Sequence, residues 1–143
     1  MRLRLVFVLL LCAMLISTCA KHLKPDFLPT EKEFSEKVKS FPFKATNERK
    51  QQVLENYSKL ELGMTKDQVA ATIGEPDYWG VTGPGKDNVT GSSWVYGFYC
   101  TGRFCGTTSD DDLLEVLFDL DDRVDWIAPS PRLNLEPKRK PRP

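Results

Sequence analysis

The chain has 143 residues, with 20 basic and 20 acidic side chains, a 41% hydrophobic fraction and one histidine. That length bounds it to one domain with tails, and a body of about 80 to 100 residues can bury only a modest core. The balanced charge excludes the strongly basic footprint of a nucleic-acid-binding protein.

The first 20 residues stand apart. Arg2 and Arg4 precede a twelve-residue apolar run, Leu5 to Ile16. The run is too short to cross a bilayer and has the length of a signal-peptide core. Two endings stay open. Thr18-Cys19-Ala20 fits an ordinary signal-peptidase site cut after Ala20. Leu15-Ile-Ser-Thr-Cys19 is similar to a bacterial lipobox, with cleavage before Cys19 and lipidation of that cysteine, although Thr18 stands where Gly, Ala or Ser is usual. Ala20 after Cys19 favours the outer over the inner membrane. The soluble periplasm is the alternative location. Loss of Arg2 and Arg4 leaves a nearly neutral, slightly acidic remainder, so steering by net charge is not its mode of action.

Residues 21–46 read as a tether followed by an accessory helix. Thr30 and Glu33 form a capping box, and Phe34, Val38 and Phe41 recur at helical spacing, which predicts a helix over Glu31 to Ser40 ended by Pro42. Its apolar edge packs on the body or on a partner. Residues 47–127 read as the folded domain. Asn47 is placed to cap a second helix whose buried face is Val53, Leu54, Tyr57 and Leu60.

The next helix has both ends written locally. Thr65 is an N-cap and Gln68 completes a capping box. Met64 and Val69 have staple spacing, and Asp67 complements the helix dipole. Val69 and Ile73 make the apolar stripe, Gly74 closes the helix and Pro76 forbids its restart. A helix of two turns is not stable alone and must dock on a partner.

After Pro76 the period changes. Tyr78, Trp79 and Val81 predict a short strand, and the Gly- and Pro-rich stretch from Thr82 to Gly91 predicts a loop. Ser92 to Cys100 is the clearest strand, with Trp94, Tyr96 and Phe98 on one side. Leu113 to Leu120 follows, with Leu114, Val116, Phe118 and Leu120 on one face. Asp121-Asp122-Arg123 turns the chain into a return strand with Val124 and Trp126 inward. Residues 128–143 hold five prolines and five basic residues and read as an extended, mobile tail, whose Lys138 to Arg142 cluster is either solvated or set against an anionic surface.

Leu60, Gly63, Met64, Thr65, Val69, Ile73, Gly74 and Pro76 together resemble the signature of the SmpA/OmlA (BamE-like) family of outer-membrane lipoproteins. Trp94-Val-Tyr96 and Val116-Leu-Phe118-Asp119 resemble that family's later strands. The resemblance spans roughly Glu48 to Ile127 and rests on caps and core residues, so it speaks for a fold more than for an activity. It implies an α+β arrangement, with two or three N-terminal helices packed on one face of a three- to four-stranded antiparallel meander. β-Lactamase inhibitor proteins use a similar layout.

Cys100 and Cys105 are spaced to form a disulfide in an oxidising periplasm. That spacing differs from the C-x-x-C of thiol oxidoreductases. Zinc lacks partners, because the one histidine, His22, lies in the tether. Asp110-Asp-Asp112 lacks the register of a calcium loop and reads as a solvated break between strands. No histidine in the domain serves as a base and no serine or cysteine has a plausible triad partner, so the reading is non-enzymatic, without cofactor, metal or small-molecule substrate.

The resemblance implies an anchored module that binds an envelope protein, barrel-assembly subunits among the candidates. It touches the membrane through Cys19 if that residue is lipidated. Candidate contact residues are Tyr78, Trp79, Arg103 and Phe104, with plain core packing the competing reading for the first two. The alternative function is an inhibitor or immunity-type protein that grips a hydrolase through the disulfide-pinned loop.

Overall fold

The computed structural model describes residues 28–84, 88–103 and 105–141. The expectations for the leader, for lipidation at Cys19, for Lys21 to Phe27 and for Phe104 fall outside these residues.

The fold is α+β, with three α-helices and a six-stranded antiparallel sheet among the described residues. Helix α1 (Glu31–Lys37) leads through the two-residue strand β1 (Phe43–Lys44) to α2 (Asn47–Asn56), which tightens into a 3₁₀ turn at Tyr57–Lys59. Helix α3 (Lys66–Ile73) follows, then β2 (Tyr78–Thr82), β3 (Gly91–Cys100), β4 (Asp112–Phe118) and β5 (Val124–Pro129). A second 3₁₀ turn, Pro131–Leu133, leads to β6 (Lys138–Arg139). The strand order is β1-β3-β4-β5-β6, and β2 shares with β1 the outer edge of β3.

The local signals decide the helix ends. Thr65 accepts from the Gln68 amide at 3.2 Å while the Gln68 side chain accepts from the Thr65 amide at 2.9 Å. Thr30 and Glu33 make the same box on α1. Thr46, not Asn47, caps α2, accepting from the Arg49 amide at 3.2 Å. Gly74 ends α3 at φ 84°, a region costly for any residue with a Cβ.

The main core lies between α2 and α3 and one face of the sheet. Val53, Tyr57, Leu60, Val69 and Ile73 pack on Trp94, Tyr96, Leu114, Val116, Phe118, Val124 and Ile127. Burial of each such side chain contributes about 1.5–3 kcal/mol. Helix α3 is fastened at both ends. At its start, the Gly63 amide donates to Val124 O at 2.8 Å and the Val124 amide to Met64 O at 2.9 Å. At its end, the Tyr96 hydroxyl donates to Gly74 O at 3.0 Å, and the Arg49 guanidinium donates to Ile73 O at 3.1 Å and to Glu75 O. The same guanidinium lies 5.2 Å from the centroid of the Tyr96 ring. The carbonyls orphaned at the end of α3 are thereby satisfied by a cation where the helix dipole is negative.

Further expectations need correction. Helix α1 stops at Lys37 and does not join the other helices. It lies on the opposite sheet face, where Phe34 meets Tyr78 and Val95 in a separate small cluster. Helical spacing says that an edge is buried without saying against which face. Trp126 is not inward. The ladder shifts between Leu117↔Trp126 and Phe118↔Val124, so the extra residue, Asp125, places Ile127 in the core and Trp126 on the far face under the Arg139 guanidinium at 4.5 Å. Leu120 lies past the end of β4 in the turn and is 73% exposed. The sheet has six strands among the described residues because the segments flanking the helices and the meander supply β1 and β6.

The tail is also corrected, because it is docked. Leu133 and Leu135 pack against the core, and the Tyr57 hydroxyl donates to Glu136 O. Lys138 lies 5.1 Å over the Tyr57 ring and brings its ammonium to within 2.6 Å of Leu60 O, 3.3 Å of Ser58 O and 3.4 Å of Tyr57 O. Lys140 pairs with Asp119 at 2.9 Å and Asp125 at 3.6 Å. Replacing Lys138 by Met keeps the aliphatic stem and removes the cation, and lowers unfolding free energy by about 1–2 kcal/mol in urea titration. A solvated lysine would change it by no more than about 0.5 kcal/mol. Arg49→Ala costs about 2–3 kcal/mol in the same measurement, and Arg49→Lys restores only part because one ammonium cannot reproduce the fork.

Candidate functional site

The disulfide expected from sequence is formed, with Cys100 and Cys105 Cα atoms 4.8 Å apart. Cys100 is fully buried at the end of β3, and Cys105 packs against the Phe34–Tyr78–Val95 cluster. The bridge crosses Gly97, where an added Cβ would come within 3.1 Å of Cys100 Sγ and 3.5 Å of Cys105 Sγ. Glycine there gives the sulfurs room to lie on the strand.

The loop is organised by an acid that looked solvated in the sequence. Asp111 is 2% exposed. Its Oδ1 accepts from the Thr101 amide at 2.7 Å and the Thr101 hydroxyl at 2.8 Å. Its Oδ2 accepts from the amides of Gly106 at 2.8 Å and Thr108 at 3.3 Å. Burial opposes its ionised form, yet the bonds from Thr101, Thr108 and Gly106 prevail and hold the carboxyl at about 2. Its neighbours are engaged as well. Arg132 reaches Asp110 at 3.3 Å and Asp112 at 3.5 Å, and Lys50 reaches Asp112 at 3.6 Å. The triplet fastens the loop to α2 and to the tail. Among the described residues, no cluster of histidine, cysteine, aspartate or glutamate is arranged to hold a metal ion.

The described candidate contact residues, Tyr78, Trp79 and Arg103, do not form one patch. Tyr78 is 5% exposed and turned into the second cluster, with its ring 5.2 Å from that of Phe34 and its hydroxyl donating to Cys105 O at 3.4 Å. Trp79 pairs with Trp94 on the opposite face and is partly buried against the main core. Arg103 is exposed on the disulfide loop.

Beside that loop, on the sheet face that α1 covers only in part, lies an open groove of about 430 Å³. Register defines its floor. Tyr78, Val95, Glu115 and Ala128 align across β2, β3, β4 and β5, followed by Gly80 and Ser93 in the next row on that face. Ser93 is 7% exposed and hydrogen-bonds the Glu115 carboxylate. Burial pushes Glu115 above the ordinary carboxylate value, which the Ser93 bond offsets in part. Tyr78 is also pushed up, first by burial and then by Glu31, Glu115, Asp77 and Asp111. The groove therefore has negative character. Glu115 and Ser93 escaped the sequence reading because alternation marked them only as the polar side of their strands.

No family model, curated protein or solved structure matches this chain. No helix among the described residues is long and apolar enough to cross a membrane.

Replacing Asp111 by Ala unties four donors and a charge, and lowers stability at pH 7 by about 2 kcal/mol. Because the folded carboxyl titrates below the unfolded one, this contribution is complete above pH ~4 and is lost as pH falls toward about 2. Urea titrations of parent and variant should converge over that window.

Proposed function

We propose that this chain is a non-enzymatic lipoprotein of the bacterial envelope, anchored through Cys19 on the periplasmic side of the outer membrane. It acts there as a protein-interaction module in outer-membrane assembly or integrity. Three observations support the reading. The leader ends in a lipobox-like stretch. The residues that resemble the SmpA/OmlA signature occupy cap, turn and core positions in and around α3, with Gly63 and Gly74 at positive φ, Thr65 and Gln68 in the capping box, and Val69 and Ile73 buried. The observation that carries it is the Cys100–Cys105 disulfide, the chemistry of an oxidising compartment, placed so that it rigidifies an exposed loop beside a groove. A surface ordered before contact loses less entropy on binding.

A periplasmic inhibitor or immunity-type protein is the second reading. It is favoured by the Asp111-ordered loop, which presents Arg103 outward and suits insertion into a hydrolase cleft.

Mass spectrometry of the mature N-terminus tests the anchor. A diacyl- or triacyl-cysteine at position 19 is expected, and a free amine on Lys21 would remove the anchor from the proposal. Crosslinking in intact cells followed by capture separates the two functional readings. Barrel-assembly subunits are expected, whereas a hydrolase or toxin as the partner would favour the inhibitor.

A further inference from the structure

The groove contains a half-buried carboxylate that has no counter-ion among the described residues. Glu115 stands on β4 between Val95 and Ala128, beside the neutral hydroxyl of Ser93. Among the described residues, no lysine, arginine or histidine lines the groove, and none forms an ion pair with Glu115 or with Glu31 on its wall. Elsewhere the protein spends its cations freely. Lys50, Lys66, Arg132 and Lys140 all pair with aspartates. A carboxylate withdrawn from water and left unpaired is a standing electrostatic cost, which a cation brought from outside relieves.

We propose that this groove is a receptor for a single lysine or arginine side chain projecting from a partner protein, with Glu115 as the anion that fixes it. The chemistry of the lining selects this occupant. Val95, Leu113 and Ala128 offer an aliphatic surface for the methylene stem. Glu115 receives the charged head, Glu31 adds negative potential from the wall, and Ser109 and Ser130 line the same groove, with Ser130 Oγ accepting from the Leu113 amide at 3.2 Å. A volume of about 430 Å³ accommodates one long side chain and water. The groove is open along one side, which suits a side chain delivered on a protein surface. The inference deepens the reading of the chain as a binding module and rests on it.

The test uses the mature chain and three probes, the N-acetyl methylamides of lysine, arginine and norleucine, followed by amide chemical shifts. Saturable shifts centred on Gly80, Ser93 and Ala128 are expected with lysine and arginine, at least tenfold tighter than with norleucine. Glu115→Gln should weaken lysine binding at least tenfold while amide positions away from the groove stay unchanged, and Glu115→Asp should keep part of it. Equal affinity for norleucine overturns the proposal, as does full binding by Glu115→Gln or shifts that map away from the groove. If the chain captures its envelope partner but binds neither cationic probe, the groove assignment falls and the module reading stands. If the lysine probe binds as described and no envelope partner is captured, the groove assignment stands and the module reading falls.

Discussion

The structure depends on the fastening of one eight-residue helix at both ends. Helix α3 is too short to persist alone, and Val69 and Ile73 give it only a narrow apolar edge. What holds it is the way its termini are satisfied. The segment before it pairs through main-chain bonds with the start of β5, and its final carbonyls are met by Arg49 from α2 and Tyr96 from β3. Two elements distant in sequence, α2 and β3, thus converge on the turn Gly74-Glu75-Pro76. Because Arg49 also stacks on Tyr96, the clamp fixes the distance between the helix layer and the sheet. The main core fills the space that this clamp defines.

A second cation repeats the device. Lys138 closes the carbonyl end of the α2 unit as Arg49 closes that of α3. The two differ in what they tie. Arg49 joins neighbouring helices, whereas Lys138 draws the last part of the chain back across the molecule and adds β6 to the edge of β5. A run of basic residues that resembles a polyelectrolyte tail is consumed internally, by carbonyls, by Asp119 and Asp125, and by the face of Trp126. Among the described residues of that run, Lys138, Arg139 and Lys140 each have a partner within the protein.

This contrast explains what was legible in the sequence. Capping boxes, the closing glycine and strand alternation are local, and they located α3, β3 and β4 to within a residue or two. Cys100 and Cys105 are five residues apart, so their pairing was equally readable. Long-range electrostatics was not. The carbonyl partners of Lys138 are 78 to 81 residues away, and nothing near Lys138 advertises them. Asp125 shows no mark of the bulge that turns Trp126 outward. Glu115 is ordinary as one polar residue in an alternating strand. It becomes distinctive only when the register places Val95 and Ala128 on either side of it. The site was therefore less visible than the fold, because a site is made of neighbours across strands.

The two sheet faces also differ in how firmly they are covered. One carries α2 and α3 and the large core. Among the described residues, the other carries the seven-residue α1 over a small cluster of Phe34, Tyr78 and Val95. The two clusters share no buried residue, so motion of α1 need not disturb the main core. A short helix held by one capping box, one buried phenylalanine and the main-chain bond from the Trp79 amide to Pro29 O is among the less costly parts of such a fold to displace. The disulfide and the Asp111 cage lie beside it and anchor to β3, β4 and the tail rather than to α1 alone. Displacement of α1 would then lengthen the groove along β2 while its Glu115 end and the adjacent loop kept their geometry. The architecture thus separates a rigid wall, built from crosslink and ion pairs, from a cover that can yield.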